Sequence, residues 1–206
     1  MNTNLIIYIA LMATTAITTV VANIIVNAKR NKQNNEVFTR DNLIHFENSL
    51  EEYKTKYNID NADSIIEICN KIGWSVVECK DLPHSAEAKL SENKEIKVLQ
   101  SLSVAEKNFD TAHEVAHIIR GATAEMTRTK HSIKSRDIEE QICDYYAVAL
   151  LLPLKEMQER METSQYEKMN KREKLHFISD IAARKEVREE VVMRRIIEVK
   201  KIINEI

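Results

Sequence analysis

Glycine and proline are nearly missing: the 206 residues contain two of each, against average usages of about 7% and 5%. A sandwich or barrel of short strands needs turn residues every ~8–12 positions, so an all-β architecture is excluded and long helices are expected. Cysteine is scarce too. Cys69, Cys79 and Cys143 are odd in number and show no CxxC spacing, which argues against a disulfide framework and a thiolate metal site and fits a reducing compartment. Neither sign of charge dominates: 30 Lys and Arg stand against 32 Asp and Glu, a net charge of −2, so the chain as a whole gives no electrostatic reason to bind nucleic acid. Two glycines also forbid a glycine-rich phosphate loop.

The charges are also absent from one end. No charged side chain occurs from Met1 to Ala28, and Leu5–Ala28 is a run of 24 uncharged residues rich in Ile, Val, Ala, Leu and Thr. As a helix at ~1.5 Å per residue it would extend roughly 36 Å, enough to cross a ~30 Å hydrocarbon core. Thr14, Thr15, Thr18 and Thr19 can satisfy their hydroxyls within such a helix. A cleaved signal peptide would want a basic start and an apolar stretch of about 7–15 residues, and the chain has neither. The segment therefore reads as a single transmembrane helix. Lys29, Arg30 and Lys32 follow it at once, so the positive-inside bias places the rest of the chain in the cytoplasm. Residues 29–37 then form a basic, polar linker, and 38–206 the main domain.

Along that domain, Thr39 reads as an N-cap with Asp41 in the first turn, followed by Leu43, Phe46, Leu50 and Tyr53 or Tyr57 at helical spacing. Asp60 or Asp63 opens a second helix through Ile65, Ile66, Ile68 and Ile72, closed by Gly73. Trp74–Cys79 is short and β-branched, hence a strand. Ala86–Leu90 and Glu95–Leu102 supply two more, a sheet of about three strands. Beyond Ser103 the pattern is helical. The fold class expected is α+β: mostly helical, with one small sheet, preceded by the membrane helix.

The chemistry lies in the helical half. His113-Glu114-Val115-Ala116-His117 is an HExxH pattern. Residues four apart share a helix face, so both imidazoles can reach one ion at about 2.0–2.1 Å. Glu114, one position on from His113, sits beside the open coordination position, where a carboxylate can take a proton from water at the metal. A helical zinc pair needs a third protein ligand. Ile142–Leu152 is apolar around its whole circumference apart from Asp144, and a helix of that kind is buried. A buried carboxylate is costly unless it is paired. Glu140, one turn earlier on the same face, reads as the third ligand, with Asp144 orienting a ligating imidazole. Glu139 competes for the ligand role but is four residues from Cys143, not from Asp144.

These residues resemble a known family. HExxH with a downstream ExxxD is the arrangement of gluzincin peptidases. More closely, KNFDTAHEVAHIIRG followed by EQICDYYAVALLLP is similar to the two motif helices of the ImmA/IrrE metallopeptidases. The likeness extends to the GWSVVECKDLP strand region and the SDIAARKEVREEVVMRRI two-helix tail, in all about residues 60–200. It matches His113, His117 and Glu140 to the zinc ligands, Glu114 to the general base, and Asp144 to an Asn or Asp position. Three positions depart from the pattern. Cys143 replaces a small Ala, Asp110 stands in a Thr or Phe neighbourhood, and Arg188 replaces a Ser that would cap the last helix, which weakens a helix-turn-helix reading of the tail. The resemblance implies a zincin-like core, one Zn2+ per chain, and a substrate-binding edge strand within Glu95–Leu102.

The reading that follows is a membrane-tethered zinc endopeptidase facing the cytoplasm. By resemblance its substrate is a cytosolic regulatory protein such as a helix-turn-helix repressor. The alternative is a non-proteolytic, membrane-tethered regulatory module on the same fold. His84, His131 and His176 are isolated and read as ordinary histidines. Tyr145 and Tyr146 read as core residues in preference to oxyanion donors. The basic residues from Lys171 to Arg195 alternate with glutamates and read as a solvated face, with no direct nucleic-acid contact expected.

Overall fold

The structure, a computed structural model, describes residues 37–82, 88–121 and 138–203. The Leu5–Ala28 segment, the linker before Val37, His84 and His131 lie outside the described residues. No helix among the described residues is long and apolar enough to cross a membrane. The chain divides after Asn42 into two units. In the described part of the first, the Asn42 backbone N–H donates to Thr39 Oγ1 at 3.3 Å, which makes Thr39 the cap it was expected to be, and the Asn42 amide donates to the Val37 carbonyl at 2.8 Å.

The elements in order are α1 (Arg40–Tyr57), α2 (Ile65–Lys71), β1 (Ser75–Cys79), β2 (Ala88–Ser91), β3 (Glu95–Leu99), α3 (Val104–Ile119), α4 (Ile138–Leu151), α5 (Leu154–Thr163), a 3-10 turn at Tyr166–Lys168, α6 (Lys171–Arg184) and α7 (Glu189–Ile203). The class is α+β, mostly helical with a three-stranded sheet, as the composition requires.

Local chemistry sets the boundaries. Ser64 caps α2 and Ser103 caps α3, each in a reciprocal box with Glu67 or Glu106, so two otherwise orphaned N–H groups are satisfied at each helix start. Ser64 thus opens α2, not Asp60 or Asp63. Asp63 is engaged instead with the Asp60 N–H at 2.6 Å and Lys71 Nζ at 2.5 Å, and the lysine holds its carboxyl below the usual range. Both glycines sit just beyond a helix C-terminus with positive φ, +78° at Gly73 and +83° at Gly121, a conformation a side chain would strain.

The sheet order is β1-β3-β2, with β1 parallel and β2 antiparallel to β3. Ile96 and Val98 pair with Val76, Glu78, Leu90 and Ala88, so β3 is the central strand. This corrects the expected edge strand within Glu95–Leu102: β3 spends its main-chain groups on two neighbours. The edges among the described residues are β1 and β2. Ile96, Val98, Ala88 and Leu90 point into the core, and the sheet packs on α3 through β3 and β2.

The core centres on α4, whose residues Ile142–Leu150 are all buried. Val148 and Leu152 continue into a cluster with Met157, Ile181, Val192, Ile196 and Val199. The two C-terminal helices are therefore part of the domain core and not a separable tail. At their turn, the Asn108 side-chain amide donates to the Glu186 carbonyl at 3.0 Å. Arg188, which replaces the capping Ser of the family pattern, lies over the Phe109 ring at 5.5 Å, a cation–π contact to α3.

Candidate metal centre

The site is built on α3 and α4, which pack side by side. His113 and His117 stand one turn apart on α3, and their Nε2 atoms approach to 3.0 Å. Glu140, in the first turn of α4, puts Oε2 at 3.4 Å from His113 Nε2 and Oε1 at 3.3 Å from His117 Nε2. For tetrahedral ligands at bonds of about 2.0–2.1 Å, the expected ligand–ligand separation is about 3.3 Å. The three donors fit that spacing. Two histidines and one carboxylate are also the donor set of a catalytic zinc that keeps a fourth position open. These three are the group of metal-ligating residues found among the described residues. His113, Glu114 and His117 are buried, whereas the Glu140 side chain is 26% exposed, so the site opens to solvent on its carboxylate side.

The surroundings of each ligand follow from the faces of α4. Asp144 Oδ1 lies 2.8 Å from His113 Nδ1, the position expected of an acceptor that fixes a ligating imidazole. Its other oxygen is 3.7 Å from Arg194 of α7. Arg194 also meets Glu198 at 2.8 Å and the Gln141 carbonyl at 3.5 Å. Glu139 turns away from the donors and forms a two-pronged pair with Arg120 at the end of α3: Nη2 meets Oε2 at 2.7 Å, and Nε donates to Oε1. Arg120 holds the Glu139 carboxyl below its ordinary range. This pair ties the two site helices together beside Glu140 and explains why Glu139 is not the third donor.

Three contributors were not read from the sequence as parts of the site. Arg120 and Arg194 offered no local signal for the site, since the site residues they meet, Glu139 and Asp144, lie on another helix. Cys143 did offer one. It is three residues beyond Glu140, a spacing that brings two side chains together on a helix surface, and its Sγ lies 3.4 Å from His117 Nδ1. Tyr145 and Tyr146 are buried against Phe46, with ring centroids at 5.5 and 5.9 Å. Tyr145 donates to Glu47, and the Tyr146 phenol engages Ser49 and Arg120. His176 is exposed on α6, remote in sequence from every donor. A cleft lined by His45, Ser49, Tyr53, Ile119, Arg120 and Tyr146 opens at the end of α3 that carries His117.

A buried HExxH helix facing a glutamate on a second helix, beside a small mixed sheet, defines a metallopeptidase-type domain. The chain belongs to the IrrE N-terminal-like domain family, Peptidase_M78, whose model matches residues 69–196. That family is zinc-dependent. In fold the chain is similar to a Mycobacterium tuberculosis transcriptional regulator, at 20% identity and a TM-score of 0.52, over 77% of this chain and 49% of that one. The chain thus spans about half the length of that regulator. No curated protein matches it in sequence.

Proposed function

We propose that the protein is a zinc endopeptidase, tethered to the cell membrane by Leu5–Ala28 with its catalytic domain in the cytoplasm, that cuts a regulatory protein such as a helix-turn-helix repressor. The convergence of His113, His117 and Glu140 at 3.0–3.4 Å, with Glu114 next in sequence to the first of them, carries the reading. Zinc bound there supplies a Lewis acid that polarises a carbonyl and brings the pKa of water to about 7. Glu114 accepts the proton of the attacking water at its carboxylate and delivers it to the departing amide nitrogen. Asp144 keeps His113 in the tautomer that presents Nε2. The edge of β2 that is open among the described residues, beside α3, is where an extended peptide can add as a further strand by main-chain hydrogen bonds. The family membership and the occurrence of this fold in a transcriptional regulator support a regulatory substrate.

Metal content is the test. The purified full chain should hold about one zinc, and His117→Ala and Glu140→Ala should each lose it. Glu139→Ala should keep it, because that carboxylate serves Arg120. Full zinc in Glu140→Ala, measured by elemental mass spectrometry, would overturn the ligand set.

Topology is tested separately, with one new cysteine at Asn2 or at Asn34 and a membrane-impermeant thiol reagent on intact cells. Labelling at Asn2 but not at Asn34 is expected. The reverse pattern puts the domain outside and removes every cytosolic substrate.

A further inference from the structure

The two imidazoles of the site are backed by consecutive residues of α4. Asp144 Oδ1 stands 2.8 Å from His113 Nδ1, and Cys143 Sγ stands 3.4 Å from His117 Nδ1. Cys143, His113 and His117 are all buried. We propose that Cys143 is the positioning residue of His117, its sulfur accepting the Nδ1 proton whenever Nε2 holds a metal, and this rests on the zinc reading above.

An imidazole that binds a metal through Nε2 is neutral and must carry its proton on Nδ1. At a buried position, that N–H is destabilising if it finds no acceptor. Alanine, the residue that the family pattern places here, offers none. Cysteine is nearly as small and does. The sulfur is not a fourth ligand, because it meets the ring nitrogen that points away from Glu140 and His113. Without metal the same contact runs in the opposite sense. The thiol donates to bare Nδ1, and the ring proton sits on Nε2, where His113 Nε2 lies 3.0 Å away as acceptor. Loading the site then reverses one hydrogen bond without moving a heavy atom. Sulfur accepts more weakly than a carboxylate, so the effect should lie at the lower end of the 10–100-fold range typical of residues that orient metal ligands.

The experiment compares the full-length parent with Cys143→Ala and Cys143→Ser. Zinc affinity is read by competition with a chelator, and the His117 tautomer by long-range 1H–15N spectra of the imidazoles. Cys143→Ala should bind zinc about tenfold more weakly, and Cys143→Ser, which restores an acceptor, should recover most of the loss. In the zinc-loaded parent the His117 Nδ1 proton should exchange slowly with water, and in Cys143→Ala faster. Equal affinity and equal exchange in Cys143→Ala overturn the proposal. So does a serine variant as weak as the alanine one, since size alone would then matter. A parent that binds no zinc overturns the zinc reading instead. The metal-free spectra still decide the contact in that event: the parent should hold His117 as the Nε2–H tautomer and Cys143→Ala should release it into a mixture.

Discussion

Glu114→Gln is expected to bind zinc as fully as the parent and to lose at least ~10²-fold in peptide hydrolysis, about 2.7 kcal/mol at the transition state. The substitution keeps shape and hydrogen-bonding capacity but removes the only function that an amide cannot perform, which is to take up and return a proton. Glu114 is buried between Ala112, Val115 and Ala116 on a fully packed stretch of α3, so a side chain of equal volume leaves the helix and its two histidines in place. The measurement pairs zinc content with cleavage of a peptide library, read by mass spectrometry. Cleavage by the variant at the parent's rate would reduce Glu114 to a structural role. A zinc-loaded parent that cuts nothing in the library, yet still captures an intact partner protein, would favour a binding module over an enzyme.

Arg195→Met should cost about 3–5 kcal/mol of stability, the range for removing one partner of a buried ion pair. Arg195 is 0% exposed. Its Nη1 meets Glu47 Oε1 at 2.7 Å, and its Nε donates to the Leu152 carbonyl at 2.7 Å. Burial alone would lower the guanidinium pKa, and the adjacent Glu47 carboxylate more than reverses this. Tyr145 donates to the same carboxylate and lies under the guanidinium at 5.8 Å. Methionine fills much of the volume and leaves Glu47 as a buried charge without its cation. Glu47→Leu combined with Arg195→Met should therefore recover much of the loss. About 1–3 kcal/mol should remain, because the Leu152 carbonyl and the Tyr145 hydroxyl lose partners. Denaturant unfolding of the four proteins tests this. Single variants within 1 kcal/mol of the parent would show that the pair is dispensable.

This network also marks where the sequence misleads. Arg195 reads as one of several basic residues on a solvated face, but Val191, Val192, Ile196, Val199 and Ile202 around it are all buried, and it shares their stripe. Glu47 likewise occupies the core stripe of α1 with Leu43, Phe46 and Leu50. A charge inside an apolar stripe is a signal that the sequence reading passed over at both positions. The partner of each was not legible, because Glu47 and Arg195 are 148 residues apart. Local chemistry was more readable. Gly73, the Thr39 cap, the strand at Ser75–Cys79 and the buried α4 follow from capping, β-branching and apolar content within a few residues. The HExxH helix and Glu140 were legible for the same reason: helical spacing decides which side chains share a face. Whether a strand is central or at an edge depends on its neighbours' register, so β3 could not be placed from Glu95–Leu102 alone.

The reach of α7 back to α4 has a consequence for the order in which the protein comes into being. Both histidines, Glu114, Glu140 and Asp144 are made before residue 145, yet the helix bearing two of these carboxylates, Glu140 and Asp144, is held at its far end by Arg195, which donates to the Leu152 carbonyl, and near Asp144 by Arg194. A nascent chain that has emerged only as far as α6 carries every reacting group and lacks both arginines. Glu47 and the end of α4 then wait for α7, so under the proposed function hydrolytic competence should arrive only once α7 has been made, and a chain truncated before α7 should be a poor protease even with His113, His117 and Glu140 present.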